Sequence, residues 1–278
     1  MTSAFPKRYT RAARLTRCTI FLMRLRLIRH ATLIIEYHGR KILLDPMLDD
    51  AGARPAIENT PNARNNPLVS LPEPIDEILK DVECVLVTHT HMDHWDATAA
   101  RLIAKHLPLF GQVEDEGKFR SAGFTSVQPI RDKAEWNGIQ ISRTGGQHGT
   151  GQIAKMLAPV SGFVLNAPGE PTLYVAGDTI WCTEVEQALK AFAPSIIVLN
   201  AGGARFLQGD PITMTSEDVI RVCKAVPRAQ VIAVHMESIN HCLLTRADLA
   251  FQLEAARVSQ QVVIPGDGEW VETRVTGR

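Results

Sequence analysis

Short apolar runs alternate with amphipathic stretches along most of the chain, and their spacing predicts both strands and helices. The runs that predict strands are "RLRLIR", "TLIIEY", "KILLD", "ECVLVT", "TSVQPI", "GIQISRT", "SGFVLNA", "TLYVAG", "SIIVLN", "AQVIAVH" and "QVVIP". The stretches that predict helices are "IDEILK", "ATAARLIAKHL" with Asp96 as its cap, "TEVEQALKAF", "SEDVIRVCKAV" and "RADLAFQLEAARV". Strands mixed with helices in this way indicate a layered domain of the α/β or α+β class.

Residues 46–73 interrupt this pattern. The stretch is rich in Pro, Asn and Ala and predicts a long loop, and loops of that length are usually functional or disordered. The chain has no short-period repeat and lacks the regular strand–helix rhythm of a dinucleotide-binding fold. No G-x-G-x-x-G or phosphate-binding loop follows a predicted strand, which argues against the common nucleotide-binding motifs.

The composition narrows the class of protein. The 278 residues are enough for one large domain or two small ones. The formal net charge is zero, and no apolar run reaches the length of about 18 residues that a membrane helix requires. We therefore expect no membrane or nucleic-acid partner, while a homo-oligomer stays open. The five scattered cysteines form no C-x-x-C pair, which favours a reducing, cytoplasmic location.

The charge is unevenly distributed. Eight of the 30 lysines and arginines, and none of the 30 acidic residues, lie within residues 1–29. We expect residues 1–22 to be a basic extension, either disordered or the product of an upstream start codon, because Met23 opens a stretch that already predicts the first strand. A targeting segment and a nucleic-acid or membrane contact are the alternatives. Residues 23–278 would then form a single domain.

The stretch "VTHTHMDHWD" carries the densest group of potential metal ligands. His89, His91, Asp93 and His94 follow directly after a predicted buried strand. If the backbone stays extended, the first three side chains share one side and His94 points elsewhere. Neutral imidazole and carboxylate are ligands that Zn²⁺, Mn²⁺ and Fe accept, and this arrangement suits two neighbouring ions.

Three further candidates each come at the end of a strand-like run. His148 follows "GIQISRT", Asp178 follows "TLYV" and His235 follows "QVIAV". Glycines beside His148 and Asp178 would allow the backbone to approach closely. Polar residues at the ends of several strands are where a sandwich or barrel would assemble a site.

The motif H-x-H-x-D-H, followed in order by these three residues, resembles the metallo-β-lactamase superfamily over roughly residues 24–270. The resemblance implies a four-layer αββα sandwich with one or two divalent metal ions in a groove, Zn or Mn first and Fe as an alternative. By this resemblance His89, His91 and His148 would hold one ion, and Asp93, His94 and His235 the other. Asp178 would bridge the two, a hydroxide between the metals would be the nucleophile, and Asp93 would also orient it and carry its proton.

The opening "RHATLIIEYHGRKILLDP" is similar to the branch that contains L-ascorbate-6-phosphate lactonase. This narrower resemblance implies that His30 sits at the mouth of the site and that Asp45 is a buried acid that orients ligand histidines. A strand-end hydrogen bond for His30 and a turn before Pro46 for Asp45 are the structural alternatives.

The contacts of the substrate are harder to predict. Asn200 and Arg205 lie in the glycine-rich loop after "SIIVLN", where Arg205 could meet an anionic group or simply face solvent. His241 follows His235 by six residues and could point into the same groove, cap a helix or lie on the surface.

The leading interpretation is a metal-dependent hydrolase of a small-molecule ester or lactone, with a phosphorylated sugar-acid lactone as the substrate that the resemblance suggests. A phosphodiesterase of the same superfamily is the main alternative. The acidic body of the chain disfavours a polyanionic substrate. A redox enzyme of the flavodiiron type is disfavoured, because such proteins resemble H-x-E-x-D-H and this chain has His91 at the position of the Glu. A non-catalytic scaffold is disfavoured because no ligand is missing.

Overall fold

Burial along the strands follows the pattern that two sheets packed face to face require. The structure, a computed structural model, describes residues 23–273. Side chains largely alternate between buried and exposed along the strand Ile139–Thr144, which is covered mainly on one face. Every side chain of the strand Cys84–Val87 is buried, as expected for a central strand between parallel neighbours with both faces covered.

Fourteen strands and seven helices lie between residues 23 and 273. The strands are β1 (Arg24–Arg29), β2 (Thr32–Tyr37), β3 (Arg40–Leu44), β4 (Cys84–Val87), β5 (Leu109–Gln112), β6 (Val127–Ile130), β7 (Lys133–Trp136), β8 (Ile139–Thr144), β9 (Gly162–Asn166), β10 (Leu173–Val175), β11 (Ile196–Asn200), β12 (Gln230–Val234), β13 (Val262–Val263) and β14 (Trp270–Glu272). The helices are α1 (Ile75–Leu79), α2 (Ala97–Leu102), α3 (Glu116–Ser121), α4 (Gly151–Leu157), α5 (Thr183–Phe192), α6 (Ser216–Ala225) and α7 (Arg246–Ala255), with 3₁₀ turns at Val113–Asp115 and Ser259–Gln261.

The strands form two mixed sheets of seven strands each. Their orders are β14-β1-β2-β3-β4-β5-β6 and β13-β12-β11-β10-β9-β8-β7. In the first sheet β3 to β6 run parallel, and in the second sheet β10 to β13 do so. The other pairs are antiparallel. Parallel neighbours bring their carboxyl ends to one edge, so each sheet gathers the residues that follow its strands.

Three apolar clusters hold the layers together. The central cluster joins the facing sides of the two sheets, for example Ile35 and Leu86 from the first sheet and Leu165 and Val198 from the second. On the outer faces, α1, α2 and α3 cover the first sheet and α5, α6 and α7 cover the second. The architecture is therefore the αββα sandwich that the sequence resemblance implied.

All predicted strands and helices are present, with some different ends. Asp96 caps α2 as predicted, since its side chain accepts a hydrogen bond from the Ala99 backbone N–H, but the helix ends at Leu102 rather than continuing. Five elements were not predicted: β5, β7, β14, α3 and α4. The basic extension at residues 1–22 lies outside the described residues, so the prediction about it stays a prediction.

The long loop at residues 46–73 is held in place by a buried arginine. Arg29 has no exposed surface, and its guanidinium donates hydrogen bonds to the carbonyls of Met47, Asp49 and Val69. Burial lowers the pKa of Arg29 to about 10, so the group stays charged at neutral pH. A loop without helices is thus anchored to β1 and forms a fixed wall beside the strand ends.

Candidate metal centre

Polar side chains meet where the strands of both sheets end. His30 follows β1, Asp45 follows β3, and the motif from His89 to His94 follows β4. From the second sheet come His148 beyond β8, Asp178 beyond β10 and His235 directly after β12. The ligating atoms fall into three overlapping groups that could each hold a metal ion: a first group of His89, His91 and His148; a second group of His30, Asp93, His94 and His235; and a group of His89, His94 and Asp178 that overlaps both.

The histidine motif is a turn and not an extended segment. Strand β4 ends at Val87, and the backbone N–H of His94 donates to the carbonyl of His91 at 2.9 Å. The prediction that His94 points elsewhere is therefore wrong. The turn brings its ring to within 4.2 Å of the His89 ring, centroid to centroid, so all four residues of the motif face one centre.

In the first group, the outer nitrogens of His89 and His148 are already engaged. The Nδ1–H of His148 donates to the carbonyl of Ile212 at 2.7 Å, which leaves its Nε2 lone pair directed inward. The Nδ1 of His89 lies 3.0 Å from the Thr88 hydroxyl, and its Nε2 lies 2.9 Å from Nδ1 of His91. At this distance the two nitrogens can share a proton in a hydrogen bond, or both can direct lone pairs to one cation once that proton is lost.

The second group shows the same convergence. Nε2 of His94 lies 3.3 Å from Nε2 of His235. The Nδ1–H of His94 donates to Oδ2 of Asp45 at 2.8 Å, and Nδ1 of His235 lies 3.6 Å from Sγ of Cys242. The partners on the outer side fix the ring orientation and leave the inner nitrogens free to ligate.

Asp178 lies between the two groups. Its Oδ2 is 3.3 Å from Nε2 of His94 and 3.5 Å from Nε2 of His148, and its Oδ1 is 3.2 Å from Nε2 of His235. Burial raises the pKa of this carboxyl, but the surrounding imidazoles outweigh burial and hold the pKa well below its usual range. The carboxylate is thus anionic and contacts residues of both groups.

A glycine allows this placement of Asp178. Gly177 has a φ of +69°, and a Cβ atom there would lie 2.4 Å from the carbonyl oxygen of Ser161. Any other residue would displace the backbone that carries Asp178. The close approach predicted for the glycine beside Asp178 is therefore observed.

The donor set fits divalent transition metals. Five imidazoles and two carboxylates converge, namely His89, His91, His94, His148, His235, Asp93 and Asp178. Burial lowers the pKa of His89 and of His148, so these rings are neutral and their lone pairs are available. At His94 the charges of Asp178, Asp45 and Asp93 outweigh burial and raise the pKa well above its ordinary value. A cation in the cluster would take the place of that proton.

Two of the predicted neighbours of the site lie elsewhere than expected. His30 is fully buried rather than at the mouth, with Nε2 3.1 Å from Oδ2 of Asp93 and its ring 3.6 Å from the His235 ring. Asn200 does not line the cavity, because its side-chain amide donates to Oδ1 of Asp178 at 2.7 Å. Both residues support the cluster from beneath instead of facing a substrate.

Arg205 is a further correction. Its side chain is exposed and donates to the carbonyl of Gly209 at 3.2 Å, so it is the solvent-facing loop arginine of the structural alternative. Asp45 lies where the sequence resemblance placed it, and His241 takes the first of its three alternatives, the groove. Asp45 is buried and contacts His94 and Thr88, and His241 lies in the wall of the cavity.

Thr88 and Arg54 were missed by the sequence analysis. The Thr88 hydroxyl donates to Asp45 at 2.8 Å and lies within hydrogen-bonding reach of His89, and a polar residue between a buried strand and the motif was the available signal. Arg54 lies in the long loop, pairs with Asp49 at 2.9 Å and donates to the Met92 carbonyl at 2.7 Å. No local pattern marks Arg54, because its partners are far along the chain or in the same irregular loop.

A cavity of about 280 Å³ opens over the cluster. His91, Asp93, His148 and Asp178 form its floor. Most of its wall is apolar and comes from separate segments, among them Ile57, Leu157, Phe206, Ile212 and Ile239. Ligand pockets of drug-sized compounds occupy about 300–1,000 Å³, so this cavity suits a small substrate.

No helix between residues 23 and 273 combines the length and the apolar character needed to cross a bilayer. The cytoplasmic location expected from the cysteines stays a prediction.

Comparison with known proteins agrees with this geometry. Residues 40–236 match the family described as the β-lactamase superfamily domain. The UPF0173 protein YddR of Bacillus subtilis is 38% identical over 245 residues, which cover 87% of this chain and 96% of YddR.

Two solved structures are similar along nearly their whole length. One, described as a possible metal-dependent hydrolase from Veillonella parvula, is 37% identical with a TM-score of 0.88 and covers 91% of this chain and 100% of its own. The other, isothiocyanate hydrolase from Delia radicum gut bacteria, is 39% identical with a TM-score of 0.85 and covers 90% and 98%.

These relatives do not support the narrower expectation of an ascorbate-6-phosphate lactonase. The relatives, the ligand cluster and the αββα sandwich all indicate the same class of protein. The chain is a metal-dependent hydrolase of the metallo-β-lactamase superfamily and belongs to its UPF0173 family.

Proposed function

We propose that the chain hydrolyses a small, mostly apolar electrophile, with an isothiocyanate as the leading substrate class. The observation that carries the proposal is the apolar wall of the cavity directly above the metal-binding cluster. The similarity to isothiocyanate hydrolase over 90% of the chain supports the same class. An apolar substituent of the substrate would bury its surface against Ile57, Leu157 and Phe206 and place the reactive carbon over the floor.

The charges around the cavity disfavour the phosphorylated sugar-acid lactone that the sequence suggested. Arg54 is the arginine in the wall, and its charge is already paired with Asp49. Arg205, the cation predicted for an anionic group, is exposed and outside the wall. A phosphate would therefore meet a single arginine among the described wall residues, whose charge Asp49 already balances although its Nη2 has no hydrogen-bond partner. A neutral ester or lactone remains the second candidate, because water would attack its carbonyl carbon in the same position.

The metal ions would be held as the sequence resemblance implied. His89, His91 and His148 would hold one ion, Asp93, His94 and His235 the other, and Asp178 would contact both. Zn, Mn and Fe all accept this set of nitrogen and oxygen donors. When bound, such ions act as Lewis acids and lower the pKa of water toward neutrality.

The side chains of the chain then position the reactants. Asp45 orients His94, and Asn200 holds Asp178. Asp93 lies in the floor of the cavity and would accept the proton of the attacking water and pass it to the substrate nitrogen. Addition of water to R–N=C=S gives the thiocarbamate R–NH–C(=O)–SH, which separates into the amine R–NH₂ and carbonyl sulfide.

Turnover of three compounds tests the proposal. Protein loaded with Zn²⁺ or Mn²⁺ is assayed with benzyl isothiocyanate, phenyl acetate and bis-p-nitrophenyl phosphate, and Asp178→Asn serves as the inactive reference. We expect benzyl isothiocyanate to have the highest kcat/KM. Cleavage of the phosphodiester alone would contradict the proposal and favour the phosphodiesterase alternative.

A further inference from the structure

His241 is a buried histidine in the cavity wall that no metal group includes. The residue is 5% exposed, and it lies in the loop that follows β12. The loop is fixed on both sides of the residue. The His241 carbonyl accepts a hydrogen bond from the backbone N–H of Arg205 at 3.1 Å, and Cys242 pairs with Ala204 in an isolated bridge. The backbone that carries the ring is therefore held at a defined place in the wall.

The two ring nitrogens of His241 have different surroundings. Nδ1 is buried and has no hydrogen-bond partner. Nε2 has no hydrogen-bond partner among the described residues and is not among the fully buried atoms, and since the residue lines the cavity we infer that Nε2 faces it. Burial lowers the pKa of His241 to about 4, so at neutral pH one nitrogen carries a proton and the other does not.

The position of that proton follows from the surroundings of the two nitrogens. A buried N–H without an acceptor loses its hydrogen bond to water, whereas Nε2 can keep one with water or substrate in the cavity. The negative charges of Asp93 and Asp178, which line the same cavity, favour the tautomer with the proton on the nitrogen toward the cavity, so Nε2 directs an N–H donor into it.

Most other polar groups of the wall are already engaged, although Nη2 of Arg54 has no hydrogen-bond partner. Arg54 donates to the Met92 carbonyl, Thr90 donates to Asp115 at 2.6 Å, and Asn66 donates to Asn240 at 2.8 Å. His241 shares the wall with Asp93 and Asp178 and lies close enough to interact with both electrostatically.

We propose that His241 is a catalytic residue whose Nε2–H donates a hydrogen bond to the substrate atom on which negative charge develops. In the isothiocyanate reaction this atom is sulfur, and in an ester it is the carbonyl oxygen. The inference rests on the proposed hydrolysis, and it adds a donor from outside the metal cluster. Donors fixed in this way stabilise developing charge without reorganising during the reaction.

Kinetics of two variants tests the role. His241→Leu removes the donor and keeps an apolar side chain, while His241→Gln retains an N–H near the position of Nε2. We expect His241→Leu to lower kcat for benzyl isothiocyanate by about 100-fold, as loss of a donor to a developing anion does, and His241→Gln to recover at least about tenfold of that loss. His106→Gln, on an exposed histidine, is the matched control and should be neutral.

Two readouts do not depend on turnover. Metal content should be the same in wild type and in both His241 variants, which separates this role from metal binding. ¹⁵N NMR should show the His241 ring, identified by its absence in His241→Gln, with the proton on Nε2. A proton on Nδ1, a wild-type kcat in His241→Leu, or equal loss in the Leu and Gln variants would overturn the proposal.

The role of His241 can be tested separately from the identity of the substrate. If wild-type protein fails on benzyl isothiocyanate but hydrolyses phenyl acetate, the substrate proposal fails and the same variants are compared on the ester. If it hydrolyses neither, calorimetry with phenylacetate decides, since one carboxylate oxygen can accept from His241. We then expect about tenfold weaker binding by His241→Leu, equivalent to ~1.4 kcal/mol. Equal affinities, or no binding by either protein, would overturn the role of His241.

Discussion

Nε2 of His30 lies 3.1 Å from Oδ2 of Asp93, and the fully buried His30 thus contacts a carboxylate of the cavity floor from below. His30 adopts a φ of +60°, and its ring lies against that of His235 with 3.6 Å between the centroids. The residue after β1 thus adopts a left-handed backbone conformation, which places the His30 imidazole under the second metal group. His30 therefore supports the centre from below, although it does not reach the cavity.

We expect His30→Ala to lower metal occupancy of the second group and to reduce turnover about 10–100-fold, the usual effect of losing a partner of a metal ligand. Metal analysis after dialysis and steady-state kinetics measure both effects. His38→Ala is the control, because His38 also has a positive φ, of +51°, but lies in the β2–β3 turn. Equal effects of the two substitutions would show that only backbone conformation matters at His30.

Asp45 should control metal affinity through His94. Asn is close to isosteric with Asp and tolerates the φ of +43° at this position, so Asp45→Asn removes mainly the charge that holds the Nδ1–H of His94. We expect metal affinity to fall about 10–100-fold in a competition titration with a chelator.

The matched control for this substitution is Asp96→Asn. Asp96 is also a buried carboxylate, but it caps α2 and accepts from the backbone N–H of Asp49. Its substitution should lower the free energy of unfolding by up to about 1 kcal/mol and leave metal affinity unchanged. Weaker metal binding by Asp96→Asn, to the same degree, would contradict a specific role for Asp45.

The apolar wall predicts a dependence on chain length. From methyl to butyl isothiocyanate, kcat/KM should rise by up to about fourfold per methylene, because each buried methylene contributes about 0.8 kcal/mol. Leu157→Ala and Phe206→Ala should flatten this increase. Phe251→Ala, on a residue that is 77% exposed on α7, is the control and should not change it. A flat series for the wild-type protein would refute an apolar binding wall.

The long loop depends on a pair of buried asparagines. Asn66 and Asn240 exchange hydrogen bonds at 2.8 Å, and Asn240 also accepts from the backbone N–H of Ile57. Asn66→Ala leaves the buried backbone N–H of Asn240 unpaired, which should lower stability by about 1–3 kcal/mol. Limited trypsin digestion should then cut the loop at Arg54 or Arg64 sooner.

Asn65→Ala provides the comparison for this prediction. The neighbouring Asn65 is exposed and makes a single side-chain hydrogen bond, to the Gly52 carbonyl at 3.3 Å. We expect the melting temperature and the digestion rate of the Asn65→Ala variant to match those of the wild type. If Asn66→Ala behaves in the same way, the asparagine pair does not secure the loop.

The sequence predicted those residues of the site whose position depends only on where a strand ends. A polar residue at or shortly after the end of a buried strand lies where that strand leaves the sheet, so His89, Asp178 and His235 could be placed without knowledge of the pairing. The local turn at His91–His94 could not be predicted in this way. Side chains alternate between two sides only while the backbone remains extended. Prediction of the His94 direction failed for this reason.

The unpredicted elements have weak local signals. Gly111 lies in the middle of β5, where a Cβ atom would lie 2.8 Å from the Phe119 ring, so tertiary packing selects a residue with low strand propensity. Helix α4 has no buried residue and begins at a glycine. Similarly, the roles of Arg54 and Arg205 depend on partners in irregular loops, and residue type alone cannot distinguish an arginine of the wall from an exposed one.

The metal content of the purified protein tests the central claim most directly. After reconstitution with Zn²⁺ or Mn²⁺, we expect the wild type to contain about one to two transition-metal ions per chain. Inductively coupled plasma mass spectrometry measures this content. Asp178→Ala should bind clearly less, because its carboxylate contacts both groups, whereas Asp210→Ala, on an exposed carboxylate, should bind as the wild type does. Wild-type protein without metal after reconstitution, or undiminished metal in Asp178→Ala, would contradict a metal centre at these residues.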